Sequence, residues 1–239
     1  MLIKERTMVI HLVDKNVTFP PEKIQKAMEI YQELKVAAKV AKNQEHYPDI
    51  VLEQVKVLIS LAHYHSSNGD LEKAKPHYTT LKKILATATD LITYPRMIFF
   101  TTQLHINLVY RFGFINQVSV AQSIYNELVT LVNDNQETDG YNDLLFHQGC
   151  ALLNFVSVLC VIGQLTEAYQ KFEELKTLVE TKKFNPMHRE LYKMQGKAIS
   201  LLSRSANKIL ARKKIKGFDF DDNQKMTINL HKPEPDLPN

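Results

Sequence analysis

Tryptophan is absent from this chain of 239 residues, and glycine occurs only 7 times, proline 9 times and cysteine twice. Each scarcity excludes something. An all-β sandwich needs turn residues every ten or so positions, and this chain cannot supply them. Its glycines are scattered, so none of them builds a phosphate-cradling loop. Cys150 and Cys160 fall on one predicted helix, about 15 Å apart along its axis, too far to bridge. Two unbridged thiols point to a reducing compartment, the cytoplasm or the nucleus. No window approaches the ~18 uninterrupted apolar residues of a membrane span. The apolar run from Met8 to Val13 is too short for a signal peptide, and no small-residue cleavage site follows it.

The remainder describes a folded chain, with 44% apolar and 23% charged residues. Phe19-Pro20-Pro21-Glu22 opens a helix, with proline tolerated in the first turn. Ile24, Ala27, Met28, Tyr31, Leu34 and Ala38 then step at helical spacing. A second stripe follows the turn at Tyr47-Pro48-Asp49, and Ser66 to Asp70 turns the chain back. Tyr94-Pro95 opens another pair, Asn133 to Gly140 is a polar loop, and Asn185-Pro186 starts a last helix over 186–214. This predicts about eight helices joined by short turns, an all-α antiparallel array. Pro76 lies too deep for a first turn, which predicts a kink or a helix that begins only near Pro76.

Two stretches share one skeleton. Leu61-Ala62, Gly69, Ala74, Tyr78 and Leu81 recur at the same offsets as Phe155-Val156, Gly163, Ala168, Phe172 and Leu175. Small residues let paired helices approach, aromatics fill the space between pairs, and glycine ends a helix in a left-handed turn. Gly113, Ala121 and Tyr125 read as a degenerate third unit with three residues inserted between Gly and Ala. Pairs of this kind bury their faces by stacking.

The pattern resembles the tetratricopeptide repeat, although the glycine spacings exceed that family's 34 residues. The resemblance implies a right-handed α-solenoid over 20–216, flanked by an extension over 1–19 and a tail over 217–239. It also implies a non-enzymatic scaffold, an adaptor or complex subunit, whose concave surface is lined by first helices and binds a protein or peptide. The family's carboxylate-clamp positions fall on Ile59 and His63, Gln103 and Asn107, and Leu153 and Ser157; of these only Asn107 fits the clamp. His63, Gln103, Asn107 and Asn154 are the candidate groove residues, since amides both donate to and accept from a peptide backbone. The plainer reading makes them polar positions on a solvated helix face.

No nucleophile elbow, metal-ligand spacing or cofactor motif appears, so no catalytic residue, metal or cofactor is expected. The net charge of +4 hides an asymmetry: eleven basic residues and one acid lie between Lys182 and Lys216. Arg189, Lys193 and Lys197, then Arg204, Lys208 and Arg212, repeat every four residues opposite Leu191, Met194, Ala198, Leu201 and Leu202. Three readings stand for this basic stripe. It is the solvated face of a capping helix, the contact for an acidic protein (another chain or this molecule's own acidic body), or a nucleic-acid surface. Two further functions stay open, a peptide-sensing regulator and a nucleic-acid-associated repeat protein. Met8, Ile10 and Leu12, and again Met226, Ile228 and Leu230, alternate like strands. Either end reads as a docking strand or as a disordered tail.

Overall fold

The computed structural model describes residues 21–183, 185–213, 219–220 and 226–227. These form eight helices: α1 (Pro21–Ala41), α2 (Tyr47–Ser67), α3 (Leu71–Thr87), α4 (Tyr94–Phe114), α5 (Val118–Asp134), α6 (Tyr141–Ile162), α7 (Leu165–Thr181) and α8 (His188–Lys213). Two-residue strands β1 (Asp219–Phe220) and β2 (Met226–Thr227) pair antiparallel. The fold is the expected all-α solenoid. Residues 1–20 and the rest of 214–239 lie outside the described residues, and with them the N-terminal alternation and the tail beyond β2.

The helices keep a constant step. α2, α4, α6 and α8 begin at residues 47, 94, 141 and 188, and α3, α5 and α7 at 71, 118 and 165, so every step is 47 residues. The turns repeat with them. The N–H groups of Asp70, Gln117 and Gln164 donate to the carbonyls of His65, Phe112 and Leu159, each at 2.9 Å. The second helices share a signature at the same step: Ala74-Tyr78-Leu81, Ala121-Tyr125-Leu128 and Ala168-Phe172-Leu175. Ala27-Tyr31-Leu34 puts it on α1 as well, which is therefore a second helix, while α8 is a first helix.

This register corrects the reading of the middle unit. The left-handed residue after α2, α4 and α6 is Gly69 (φ 80°), Asn116 (φ 63°) and Gly163 (φ 84°), respectively. Asparagine tolerates that conformation where other side chains do not. The turn is thus at Asn116, and no insertion separates it from Ala121. Gly113 is still helical, and a Cβ there would lie 2.7 Å from Val158 Cγ1 on α6. The chain is a helical repeat whose period is longer than the tetratricopeptide's 34 residues.

Of the two readings at Pro76 the late helix start is excluded, and the start of the last helix also shifts. α3 begins at Leu71, where Asp70 caps it by accepting from the Lys73 N–H at 3.2 Å, and it runs through Pro76. Pro76 is exposed, so water can take the carbonyl its missing N–H leaves over. The last helix begins at His188 rather than at residue 186.

The two layers pack differently. First helices touch directly, α2 on α4, α4 on α6 and α6 on α8, whereas no comparable packing joins α3 to α5 or α5 to α7. A small residue permits one such approach: a Cβ on Gly149 would fall 2.5 Å from Leu191 Cδ2 and 2.9 Å from Met194 Sδ on α8. α6 is apolar and long enough to cross a membrane by composition alone. Here it is the central core helix, packed by α4, α7 and α8. Phe155 and Phe172 are fully enclosed at its contact with α7.

Candidate functional site

Close packing on one side and open grooves on the other shorten the first-helix face and widen the second-helix face. The grooves hold cavities of about 160 and 310 Å³ between α3 and α5, and about 660 Å³ between α5 and α7. A polar clasp divides the first groove. The Tyr78 hydroxyl donates to Glu127 Oε2 at 2.5 Å and lies 2.8 Å from His105 Nε2. Lys82 donates to Glu127 Oε1 at 2.8 Å, and the His105 Nδ1–H donates to the Thr101 carbonyl at 2.7 Å. Burial and then Glu127 raise the Tyr78 pKa. One register step on, the buried Tyr125 hydroxyl faces Gln148 and Glu174. Lys171 pairs with Glu174 and lies over the rings of Tyr125 (5.2 Å) and Phe155 (5.5 Å). These polar groups are committed to holding neighbouring units together.

The first-helix face is different. The 47-residue register lays it out in rows, each running α2, α4, α6, α8. Lys56, Gln103, Cys150 and Lys197 form one row; Ser60, Asn107, Asn154 and Leu201 the next; His63, Tyr110, Ser157 and Arg204 a third; and Ser67, Phe114, Val161 and Lys208 a fourth. Asn107 and Asn154 therefore sit at equivalent places on adjacent, directly packed helices. His63 and Asn107 do not, because the clamp alignment was anchored on Gly69, Gly113 and Gly163, and the middle turn is at Asn116. Ile59 is buried and offers nothing to a ligand.

His63, Gln103, Asn107 and Asn154 are all half-buried. The amides of Gln103, Asn107 and Asn154 make no hydrogen bond to other side chains or loops among the described residues. Burial, and then the Arg111 charge, lower the His63 pKa, so His63 is a neutral donor and acceptor near pH 7. Lys56 is nearly enclosed, paired with Glu53 at 2.7 Å and 5.6 Å from the Phe100 ring centre. Sequence reading missed the apolar part of the face, Phe114 (54% exposed) and Val161 (68% exposed), one step apart. Their helical neighbours looked like core, and only the true register aligns them.

The basic stripe belongs to the same layer. Arg189, Lys193, Lys197, Arg204 and Lys208 are exposed, opposite buried Leu191, Met194, Ala198 and Leu202. Lys193 pairs with Glu190 at 2.6 Å. The side chain of Arg212 lies outside the described residues. Lys197, Arg204 and Lys208 continue the rows that cross α2, α4 and α6, so the stripe is one end of the face rather than a separate contact. Among the described residues, no group of three or more His, Cys, Asp or Glu side chains is placed to hold a metal ion. Cys150 and Cys160 are in no disulfide.

No family model and no curated protein matches the chain. Among solved structures it is similar to a de novo designed helical repeat protein, with 15% identity over 79% of this chain and 94% of that chain, at a TM-score of 0.39.

Proposed function

We propose that this protein is a non-enzymatic scaffold, an adaptor or subunit of a larger complex, that holds a protein or peptide partner along the first-helix layer. One observation carries the reading. Three amides, Gln103, Asn107 and Asn154, stand half-exposed and uncommitted on two adjacent helices, while Tyr78, Lys82, His105 and Glu127 of the α3–α5 groove are engaged with one another. Asn107 and Asn154, in register one helix spacing (~10 Å) apart, can pair with peptide groups about three residues apart in an extended chain, and exposed apolar side chains on the same face supply affinity.

Site-specific photocrosslinking in the native cell tests this. A photoreactive residue at position 107 or 154 is expected to give one discrete polypeptide adduct. The same group at Thr177, which lines the α5–α7 groove, is expected to give none. Adducts from position 177 alone would move the binding surface to the opposite layer.

A further inference from the structure

We propose, building on that reading, that the partner segment is acidic and carries apolar side chains, and that it crosses the C-terminal half of the first-helix layer onto α8. The charge distribution along these helices is one-sided. Their only acids are Asp49, Glu53, Asp143 and Glu190, all within the first two turns. Glu53 and Glu190 are already paired with Lys56 and Lys193. From there to the helix ends, residues 54–67, 97–114, 144–162 and 191–213 contain no aspartate or glutamate. The same stretches carry Arg111, Lys197, Arg204 and Lys208, and the last three are exposed and in no ion pair among the described residues.

Phe114 and Val161 lie in the row that ends at Lys208, and Phe114 stacks on Tyr110 with ring centres 6.0 Å apart. An apolar anchor therefore borders a cationic strip. Packed helix axes lie about 10 Å apart, so Phe114 and the α8 cations are separated by two spacings, ~20 Å. An extended chain covers that in about six residues. The occupant that fits is a segment with an apolar residue at one end and carboxylates about six residues further on. A nucleic acid satisfies the cations but has no use for an aliphatic anchor. Phe114 and Tyr192 are exposed aromatics on which a base could stack, but Tyr192 sits on the first turns of α8, away from the Phe114 row, and Val161 between Phe114 and Lys208 offers no ring.

The probe is a labelled peptide of about 16 residues alternating Glu with Leu or Phe, ~50 Å when extended. It is followed by fluorescence anisotropy against the full chain at low salt. A peptide with Lys in place of Glu and a single-stranded oligothymidylate serve as comparators. Two surface variants are used, Lys197→Glu/Arg204→Glu/Lys208→Glu and Phe114→Ser/Val161→Ser, each checked for an unchanged melting curve. The acidic peptide is expected to bind and the lysine peptide not to. Each variant should weaken binding about tenfold or more, the charge variant also flattening the salt dependence. Absence of binding, or binding that ignores both variants, overturns the proposal. So does oligothymidylate binding that the charge variant abolishes and the apolar variant leaves intact. If the acidic peptide fails while residues 107 and 154 still crosslink to a cellular polypeptide, the partner chemistry is wrong and the binding layer stands. If both fail, the layer itself is wrong.

Discussion

Acid should destabilise this fold through His147 more than through its surface. The ring is 6% exposed on α6. The Thr102 hydroxyl donates to the Phe99 carbonyl at 2.9 Å, which leaves its oxygen to accept from His147 Nδ1–H at 2.8 Å. The ring centre lies 5.0 Å from that of Phe99. Burial pushes the His147 pKa down from 6.5 to about 4, with Asp143 offsetting part of the shift. The folded state therefore resists a proton that the unfolded chain accepts. Stability is complete above the unfolded value, falls as pH drops through it, and levels off below about pH 4. Between about pH 7.5 and about pH 4.5 the loss assigned to this one ring is about 2.5 kcal/mol. His105 shifts in the same direction, by burial first, so wild type alone cannot isolate His147. The assay is urea unfolding at both pH values for wild type and for His147→Gln, which keeps a neutral donor and acceptor. The variant should lose about 2.5 kcal/mol less than wild type on acidification. Equal losses in the two proteins would refute the assignment.

Tyr78→Phe should cost about 1–3 kcal/mol, because it removes the hydroxyl that donates to Glu127 and leaves the enclosed His105 Nε2 beside an apolar ring. Gly163→Ala should cost about 1–2 kcal/mol through its left-handed backbone, although the space around it is open. Asn116→Gly at the equivalent turn should be within about 0.5 kcal/mol of neutral. Gly149→Ala should cost about 1–3 kcal/mol, since Leu191 and Met194 must retreat from the added methyl. All of these are read from the same denaturation midpoints.

Helix type and number were legible because the apolar stripes of these helices are long and periodic. The small-then-large signature of the second helices was visible too. The period was not, because glycine was used to mark the turns and the middle unit uses asparagine there, with a helical glycine three residues earlier. Aligning Ala27, Ala74, Ala121 and Ala168 instead gives 47 at once. Pro76 misled because a proline lacking one hydrogen bond is tolerated where water can replace it. The candidate amides could be named from polarity alone, but their relation to one another depended on the register. The clasps were out of reach: Tyr78 meets Glu127 and Thr102 meets His147 across 49 and 45 residues, with no local pattern to announce either.

A strict period makes the chain editable by whole units. Excising residues 117–163 removes 47 residues and joins Asn116 directly to Gln164 at an equivalent point of the turn. α4 would then be followed by α7 in unchanged phase. Tyr78 would face Glu174 where it now faces Glu127, since both carboxylates lie at the same place in their units. Nearest-neighbour stacking tolerates such a cut. The shortened molecule would bring the cationic helix next to α4, one helix spacing nearer to Phe114, and would strip Asn154 and Val161 from the first-helix face.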